Sequence, residues 1–536
     1  MRDGQGERRE FIRKLAAGAA LSWPVMGSIE EASAAVMQKP APGAPLVFNV
    51  ADHGAVGDGK TLTTGAIQKA VDRCAAAGGG RVVFPAGRYL TGPIFLKSNV
   101  HVEVPSGAVL LGSTDFDRIP SIAGRWEGID RTVYASLFTG HDLENISITG
   151  RGLLDGQGEA WWDAFRAVAA LRQKLGLLER EPENPPGSPL KWARPRMINL
   201  YRCKNVLISG LTVINSPSWN IHPVLCDNVV IDQVTILAPD EGPNTDGIDP
   251  DSCKNVRLSN CNISVGDDCI TLKSGYRYRN TNVPCENIAV TNCTFGRGHG
   301  GVGVGSETAG GVRNVTVSNC ICDGTDRGLR FKTARGRGSV VENFSAMNVV
   351  MRGVGDAVSV TMLYGAGDSR TAQPVSELTP IFRNIRLSNI TASDVKRAAL
   401  IEGLPEMPVR GLTINNFEVV SAGAGITCSN VDGMTFDNVA VNAAKGPAMT
   451  AVDVRGIEIH RFADRNPQEG LPSIRLENIN DGLIQSCAAA QGTGTFVEIG
   501  GAGSRDISLV ANRLARAAQD VRFVGGAPES AVVRRL

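Results

Sequence analysis

Four short polar stretches stand out near the middle of the chain: Asn244-Thr245-Asp246, Gly266-Asp267-Asp268, Gly298-His299-Gly300 and Arg330-Phe331-Lys332. Aligned on the apolar residues Ile248, Ile270, Val302 and Leu329, they put Asp246 and Asp268 in one column and Asp267 and His299 in the next. Arg330 and Lys332 then project outward, two residues apart. If the stretches lie on neighbouring layers about 4.8 Å apart, three carboxylates, an imidazole and two cations share one surface. Carboxylates that close raise one another's pKa, so one is expected to keep its proton near neutral pH. A protonated acid beside carboxylate bases is what glycosidic hydrolysis requires: one group protonates the leaving oxygen and another activates water. The two cations suit sugars that carry carboxylates of their own.

Plainer readings compete. Asn-Thr-Asp and Asp-Gly are turn formers, and Asp246 alone would be read that way. Asp267-Asp268 one layer on argues otherwise, because adjacent unrelieved carboxylates are unfavourable. The glycines flanking His299 leave its ring accessible. His222 lies one repeat before Asp246 and serves either substrate binding or structure. Asp249 and Asp251 are expected to serve the turn. Lys273 shares a column with Lys332 and either adds to a basic patch or faces solvent. Trp161 and Trp162 either stack on sugar or anchor their own segment. His53, His101, His141 and His460 have no supporting constellation.

The elements that position these groups are repeats. Cys203-Lys204-Asn205-Val206, Cys226-Asp227-Asn228-Val229, Cys253-Lys254-Asn255-Val256 and Cys285-Glu286-Asn287-Ile288 are copies of one unit, and weaker copies include Asn314, Asn343 and Asn384. From Asn205 the asparagines are spaced 23, 27, 32, 27, 29 and 41 residues apart. A unit of about 25 residues with variable loops is a solenoid signature. Within a unit, Val256, Leu258, Cys261, Ile263 and Val265 alternate, with Ser259-Asn260 as a bend, which predicts short strands. Three strands per coil, stacked in parallel, predict an all-β fold, a right-handed parallel β-helix. Cys261, Cys293 and Cys320 occupy a column otherwise filled by Leu211, Val234 and Ile390, so they are expected to be buried thiols. Cys203, Cys226, Cys253 and Cys285 form a second column. No C-x-x-C pair occurs, which argues against structural zinc.

Ile67, Ala70, Val71 and Cys74 fall at helical spacing between Thr61 and Ala77. They predict a helix that caps the first coil, with Thr63 or Thr64 as N-cap and Gly78-Gly79-Gly80 as terminator. Residues 45–500 are read as the β-helix, residues 159–195 as a partly helical insertion over one face, and residues 501–536 as a C-terminal coil or cap.

Of 536 residues, 62 are glycine, aromatics make up 5% and charged residues 20%, a balance that disfavours a helical bundle. A formal charge of +1 gives no global case for nucleic acid or a membrane surface. Arg8-Arg9-Glu10-Phe11-Ile12, the apolar run 15–27 and Ala32-Ser33-Ala34 resemble a twin-arginine export signal over residues 1–34. They predict a periplasmic or secreted protein with no membrane attachment after signal removal, and a monomer is expected.

The four stretches, in order and at coil spacing, resemble the NTD, G-D-D, GHG and R-x-K motifs of glycoside hydrolase family 28, the polygalacturonases and their relatives. The likeness covers roughly residues 45 to 450 and includes Phe48 to Gly59 and Leu153-Leu154-Asp155-Gly156-Gln157-Gly158. It implies inverting hydrolysis of α-1,4-galacturonosidic bonds in pectic polysaccharide or oligogalacturonide, with no metal or organic cofactor. It implies Asp267 as general acid, Asp246 and Asp268 as the pair that holds and deprotonates water, and His299 as the contact that keeps the acid protonated. Arg330 and Lys332 are implied to bind substrate carboxylate, so that losing Lys332 would weaken binding far more than stability. Tyr364 is carried as a further substrate contact, and His222 beside it. Phe331 stands where the family more often has isoleucine, an inward position. Inversion would place acid and base about 6.5–9.5 Å apart. Rhamnogalacturonan or xylogalacturonan hydrolysis is the alternative within the family. A calcium-dependent pectate lyase-like eliminating enzyme and a non-enzymatic carbohydrate-binding β-helix are the alternatives outside it. Endo and exo action both stay open.

Overall fold

Successive coils repeat one another because asparagines bend each in the same way. Asn205, Asn228, Asn255, Asn287, Asn314, Asn343 and Asn384 all have φ of 55–59°. This left-handed conformation is one that asparagine tolerates better than other residues with a Cβ. Their amides also stack: Asn287, Asn314, Asn343 and Asn384 each donate Nδ2 to the Oδ1 of the preceding asparagine at 3.1–3.2 Å. A second ladder runs along the other bend, through Asn319, Asn348, Asn389 and Asn416.

The computed structural model describes residues 46–177, 184–279, 282–365 and 369–535; the expected export signal lies outside them. Between the bends the strands pair in parallel, coil on coil, as a right-handed parallel β-helix. Inward residues form continuous columns. One runs Val256, Ile288, Val315, Phe344, Ile385 and Leu412. Another runs Ile263, Phe295, Cys322 and Met351. All of these residues are buried in one continuous core. The twelve cysteines are all buried and unpaired. Seven of them, Cys203, Cys226, Cys253 and Cys285 in one column and Cys261, Cys293 and Cys320 in another, fill the columns the repeats predict.

Helix α1, Thr64–Ala76, buries Ile67, Ala70, Val71 and Cys74 over the first coil. Thr63 is its N-cap position but makes no side-chain capping bond; its hydroxyl donates to Leu90 O instead. After the helix the chain turns through Gly78 and Gly79, where a Cβ on Gly79 would stand 2.5 Å from Asn99 O. The paired strands run on past residue 500, with Arg505–Val510, Gln519–Val524 and Val532–Arg535 each joined in parallel to the coil before. Among the described residues no helix is long and apolar enough to cross a membrane.

Two additions rise over the third face. Helix α2, Glu159–Lys174, begins the expected insertion. Trp161 and Trp162 are its anchors: Trp161 lies against Phe116 and Tyr134, and Trp162 Nε1 donates to Ser216 O at 3.0 Å. Both are buried, so neither offers a face to a sugar. The second addition, absent from the sequence reading, is an antiparallel hairpin of Ser121–Trp126 and Ile129–Tyr134. Glu127 and Gly128, both at positive φ, make its two-residue turn. Its tip rests on the solenoid through Tyr276 N–H to Gly128 O at 3.1 Å.

Because the cysteines serve only as core filling, thiol titration should find twelve reactive groups after unfolding and almost none before. Reductant should leave the Tm unchanged; a drop in Tm with dithiothreitol would contradict this packing.

Candidate active site

The third face of the solenoid carries the four polar stretches. Ile248, Ile270, Val302 and Leu329 pair in register there, so stretches 22 to 32 residues apart in sequence become layers. Each is held locally. Arg194, from the end of the insertion, donates to Pro217 O, Pro243 O and Asn244 Oδ1 at 2.7–2.8 Å. Asn220 Nδ2 donates to Thr245 O and Asp246 O. Thr245 Oγ1 donates to Gly242 O and accepts from Gly266 N–H, tying the Asp246 loop to the Asp267-Asp268 loop.

One oxygen each of Asp246, Asp267 and Asp268 lie within 4.8 Å of one another. This is closer than the 6.5–9.5 Å expected for an acid and base across a bond, because all three stand on adjacent layers of one face. Their environments differ. Asp268 is fully buried, with Oδ1 accepting from Arg330 Nη1 at 2.7 Å and Oδ2 from Lys332 Nζ at 2.6 Å. Gly300 lies on the coil between and makes that reach possible: a Cβ there would stand 3.0 Å from Asp268 Oδ1 and 3.2 Å from Arg330 Cδ. Burial works against the Asp268 charge, but Lys332 and Arg330 outweigh it and hold the carboxyl well below its usual range. Asp246 is buried too, and burial with the nearby Asp267 charge pushes it well above that range. Its Oδ2 is 3.5 Å from Lys273 Nζ. The proton expected to be retained is therefore favoured on Asp246.

Asp267 alone of the three is open, with its side chain 20% exposed. Its Oδ1 accepts the Asp268 backbone N–H at 2.9 Å and lies 3.0 Å from His299 Nδ1. His299 is 48% exposed, and the Asp267 hydrogen bond raises its pKa. Tyr364 is half-buried beside the cations, its ring centre 5.3 Å from Lys332 Nζ and 5.8 Å from Arg330 Cζ.

Several expectations change. Lys332 is buried against Asp268, so its removal would strand a buried carboxylate and touch stability and the cluster as well as binding. His222 is 0% exposed beneath Trp219, its Nε2 3.8 Å from Asp251 Oδ2. Burial lowers its pKa to about 3; it supports the floor and does not reach substrate. Asp249 and Asp251 do not serve a turn: both are fully buried, Asp251 bridges Val224 and Lys273 of the neighbouring coils, and it is tied to Arg125 of the hairpin at 3.1 Å. Lys273 keeps its column but is buried, neither on a basic patch nor in solvent. Glu307, 3.4 Å from Lys273, carries no spacing signal in the sequence, being a lone acid after Gly305-Ser306. Three chain cations already compensate the carboxylate cluster, so its donor set does not fit that of a cation site.

Stacked parallel coils with three carboxyls, an imidazole and cations on one face offer the groups that glycoside hydrolysis uses. Residues 183–444 match the description "Glycosyl hydrolases family 28", and residues 47–113 match "Rhamnogalacturonase A/epimerase, pectate lyase-like". A probable polygalacturonase of Vitis vinifera is 34% identical over 72% of this chain and 78% of its own length. An endo-polygalacturonase of Pectobacterium carotovorum is 31% identical over 67% and 85%. The crystal structure of a hyperthermoactive exopolygalacturonase from Thermotoga maritima superposes with a TM-score of 0.63 at 33% identity, over 72% of this chain and 87% of that one. The chain belongs to glycosyl hydrolases family 28 and is a glycoside hydrolase.

The His299–Asp267 contact gives a signed pH effect. A raised folded-state pKa means the folded protein binds the imidazole proton more tightly than the unfolded chain does. That stabilisation is full below the unfolded value of about 6.5 and is lost as pH rises through the folded value. His299→Ala should therefore lower the Tm most in mildly acidic buffer, and the gap to wild type should close under alkaline conditions. A gap independent of pH would show that the pair is not ionic.

Proposed function

We propose that the enzyme hydrolyses α-1,4-galacturonosidic bonds of polygalacturonate or pectic oligosaccharides by single displacement, with inversion at the anomeric carbon. The observation that carries the mechanism is the unequal access of the three carboxyls. A covalent nucleophile must reach carbon. Asp268 is buried with both oxygens engaged by cations, and Asp246 is buried and favours its protonated form. Neither suits direct attack, which leaves water as the nucleophile. An O···O spacing within 4.8 Å is one that a single water spans with two hydrogen bonds of about 2.7–2.8 Å.

In this reading Asp267, the exposed carboxyl, protonates the glycosidic oxygen as the C–O bond breaks. The proton is replenished through His299. Water held between Asp246 and Asp268 bonds to the anomeric carbon and passes its own proton to that carboxyl pair. One water is consumed and both new chain ends are neutral hydroxyls. Arg330, which keeps a partly exposed guanidinium after pairing with Asp268, and Tyr364 would meet the substrate's carboxylate. The galacturonate assignment draws on the polygalacturonase relatives. The arginine pair and apolar run of residues 8–34 support export.

We also propose that action is exo. Helix α2, the hairpin and residues 184–194 enclose a cavity of about 370 Å³ whose wall includes Trp126, Phe165, Arg172, Trp192 and Asn244. Asn244 is two residues from Asp246, so the walls of this cavity stand beside the carboxylates, and in this reading they limit the cleft on that side, with Arg330 and Tyr364 on the other.

Asp267→Asn should lower kcat by roughly 10²–10⁴-fold or more with the fold intact. Proton NMR of the first product should show the inverted anomer. Retention, which the short carboxyl separation alone would suggest, would exclude direct attack by water. A defined galacturonate oligomer should release short products from one end from the first turnover; a spread of intermediate lengths would exclude exo action.

A further inference from the structure

Lys273 sits at the centre of a buried charge cluster beneath the cleft, and the catalytic scheme gives it no step. Its side chain is 5% exposed. The ammonium lies 3.4 Å from Glu307, 3.5 Å from Asp246 and 3.9 Å from Asp249. The Trp219 ring closes another side, its centre 4.5 Å away. These partners come from three segments of the chain, Trp219, Asp246 with Asp249, and Glu307, so the lysine is enclosed rather than draped over a surface. A buried ammonium is tolerated only where partners compensate it, and here Asp246, Asp249 and Glu307 do so, with Arg194 and Lys332 also acting on Asp246 and Arg196 on Asp249.

We propose that Lys273 is a positioning residue for the reaction, which fixes the Asp246 carboxyl through Oδ2 and sets the pH at which that carboxyl can act. Among the described residues Asp246 Oδ1 has no hydrogen-bond partner, so Lys273, at Oδ2, orients the carboxyl from below and leaves the other oxygen for the attacking water. The inference rests on the proposed water-holding role of Asp246. Other charged groups face the pair. Asp267 and Asp268 act on Asp246 from the next coil, Lys332 from beyond it, and Arg194 from the insertion; Asp249 and Glu307 face the lysine. Burial and the neighbouring carboxylates push Asp246 and Asp249 upward, and Lys273 opposes this. The nearby acids hold the lysine itself well above its usual value despite burial, so it stays charged.

The test is the pH profile of kcat for the full chain on trigalacturonate. Lys273→Met should move the acidic limb upward by about one pH unit or more. Below the limb that is about a tenfold loss of kcat at fixed pH, with KM within a few-fold of wild type and activity partly recovered at higher pH. Should this variant not fold, Lys273→Met with Glu307→Gln removes a charge of each sign and should show the same shift. Lys273→Arg, which keeps the charge, should leave the limb near its wild-type place. A folded variant with an unmoved limb and a uniform loss across pH would overturn the proposal, as would failure of both methionine variants to fold, which would make the lysine structural. Asp246→Asn separates the two readings. If it stays active, the proposed role of Asp246 falls; if it is inactive while the limb stays unmoved in Lys273→Met, only the present inference falls.

Discussion

Coil stacking at a single strand spacing is the constraint on which the rest of this structure depends. It fixes the distance between layers at about 4.8 Å and leaves each coil free to vary in loop length. Asp246, Asp268, Gly300 and Arg330 are far apart in sequence and become near neighbours only through pairing of Ile248, Ile270, Val302 and Leu329. The asparagine ladders secure that register from outside and the apolar columns from inside. A slip of one residue would send every inward side chain outward and would part Asp268 from Arg330 and Lys332 together.

The same spacing crowds like charges, and the site handles this by dividing its carboxyls among unlike environments. Asp268 is neutralised by two cations that reach across Gly300. Asp246 and Asp249 are buried around one lysine. Asp267 stays at the surface against a half-exposed histidine. Burial and the Asp267 charge push Asp246 up, two cations hold Asp268 down, and Asp267 alone of the three is open. That separation, rather than a long gap between acid and base, distinguishes the groups.

The insertion and the hairpin act on reach rather than on acidity. Arg194 joins the end of the insertion to Asn244 and Pro243, and Arg125 of the hairpin holds Asp251. The walls that narrow the cleft are therefore bolted to the loop that carries the aspartates. Arg194 and Arg196 are fully buried beside Trp126, and burial lowers both to about 9. Ring faces supply part of the compensation that carboxylates supply elsewhere.

How much was legible follows from the range of each signal. Alternation, the Cys-x-Asn repeats and the four polar stretches are local patterns, and in a solenoid local pattern implies tertiary neighbourhood. The β-helix, helix α1, the buried thiols and the grouping of Asp246, Asp267, Asp268, His299, Arg330 and Lys332 could thus be read from residues alone. The hairpin could not, because Glu127-Gly128 is an unremarkable pair until Tyr276 meets it. Nor could the burial of His222, Lys273, Asp249 and Glu307, or the pairing of Lys332 with Asp268 instead of a substrate carboxylate. Inward or outward direction along a strand can be counted. How deeply the chain folded over that face covers an outward residue depends on the insertion and hairpin, and only their placement decides it.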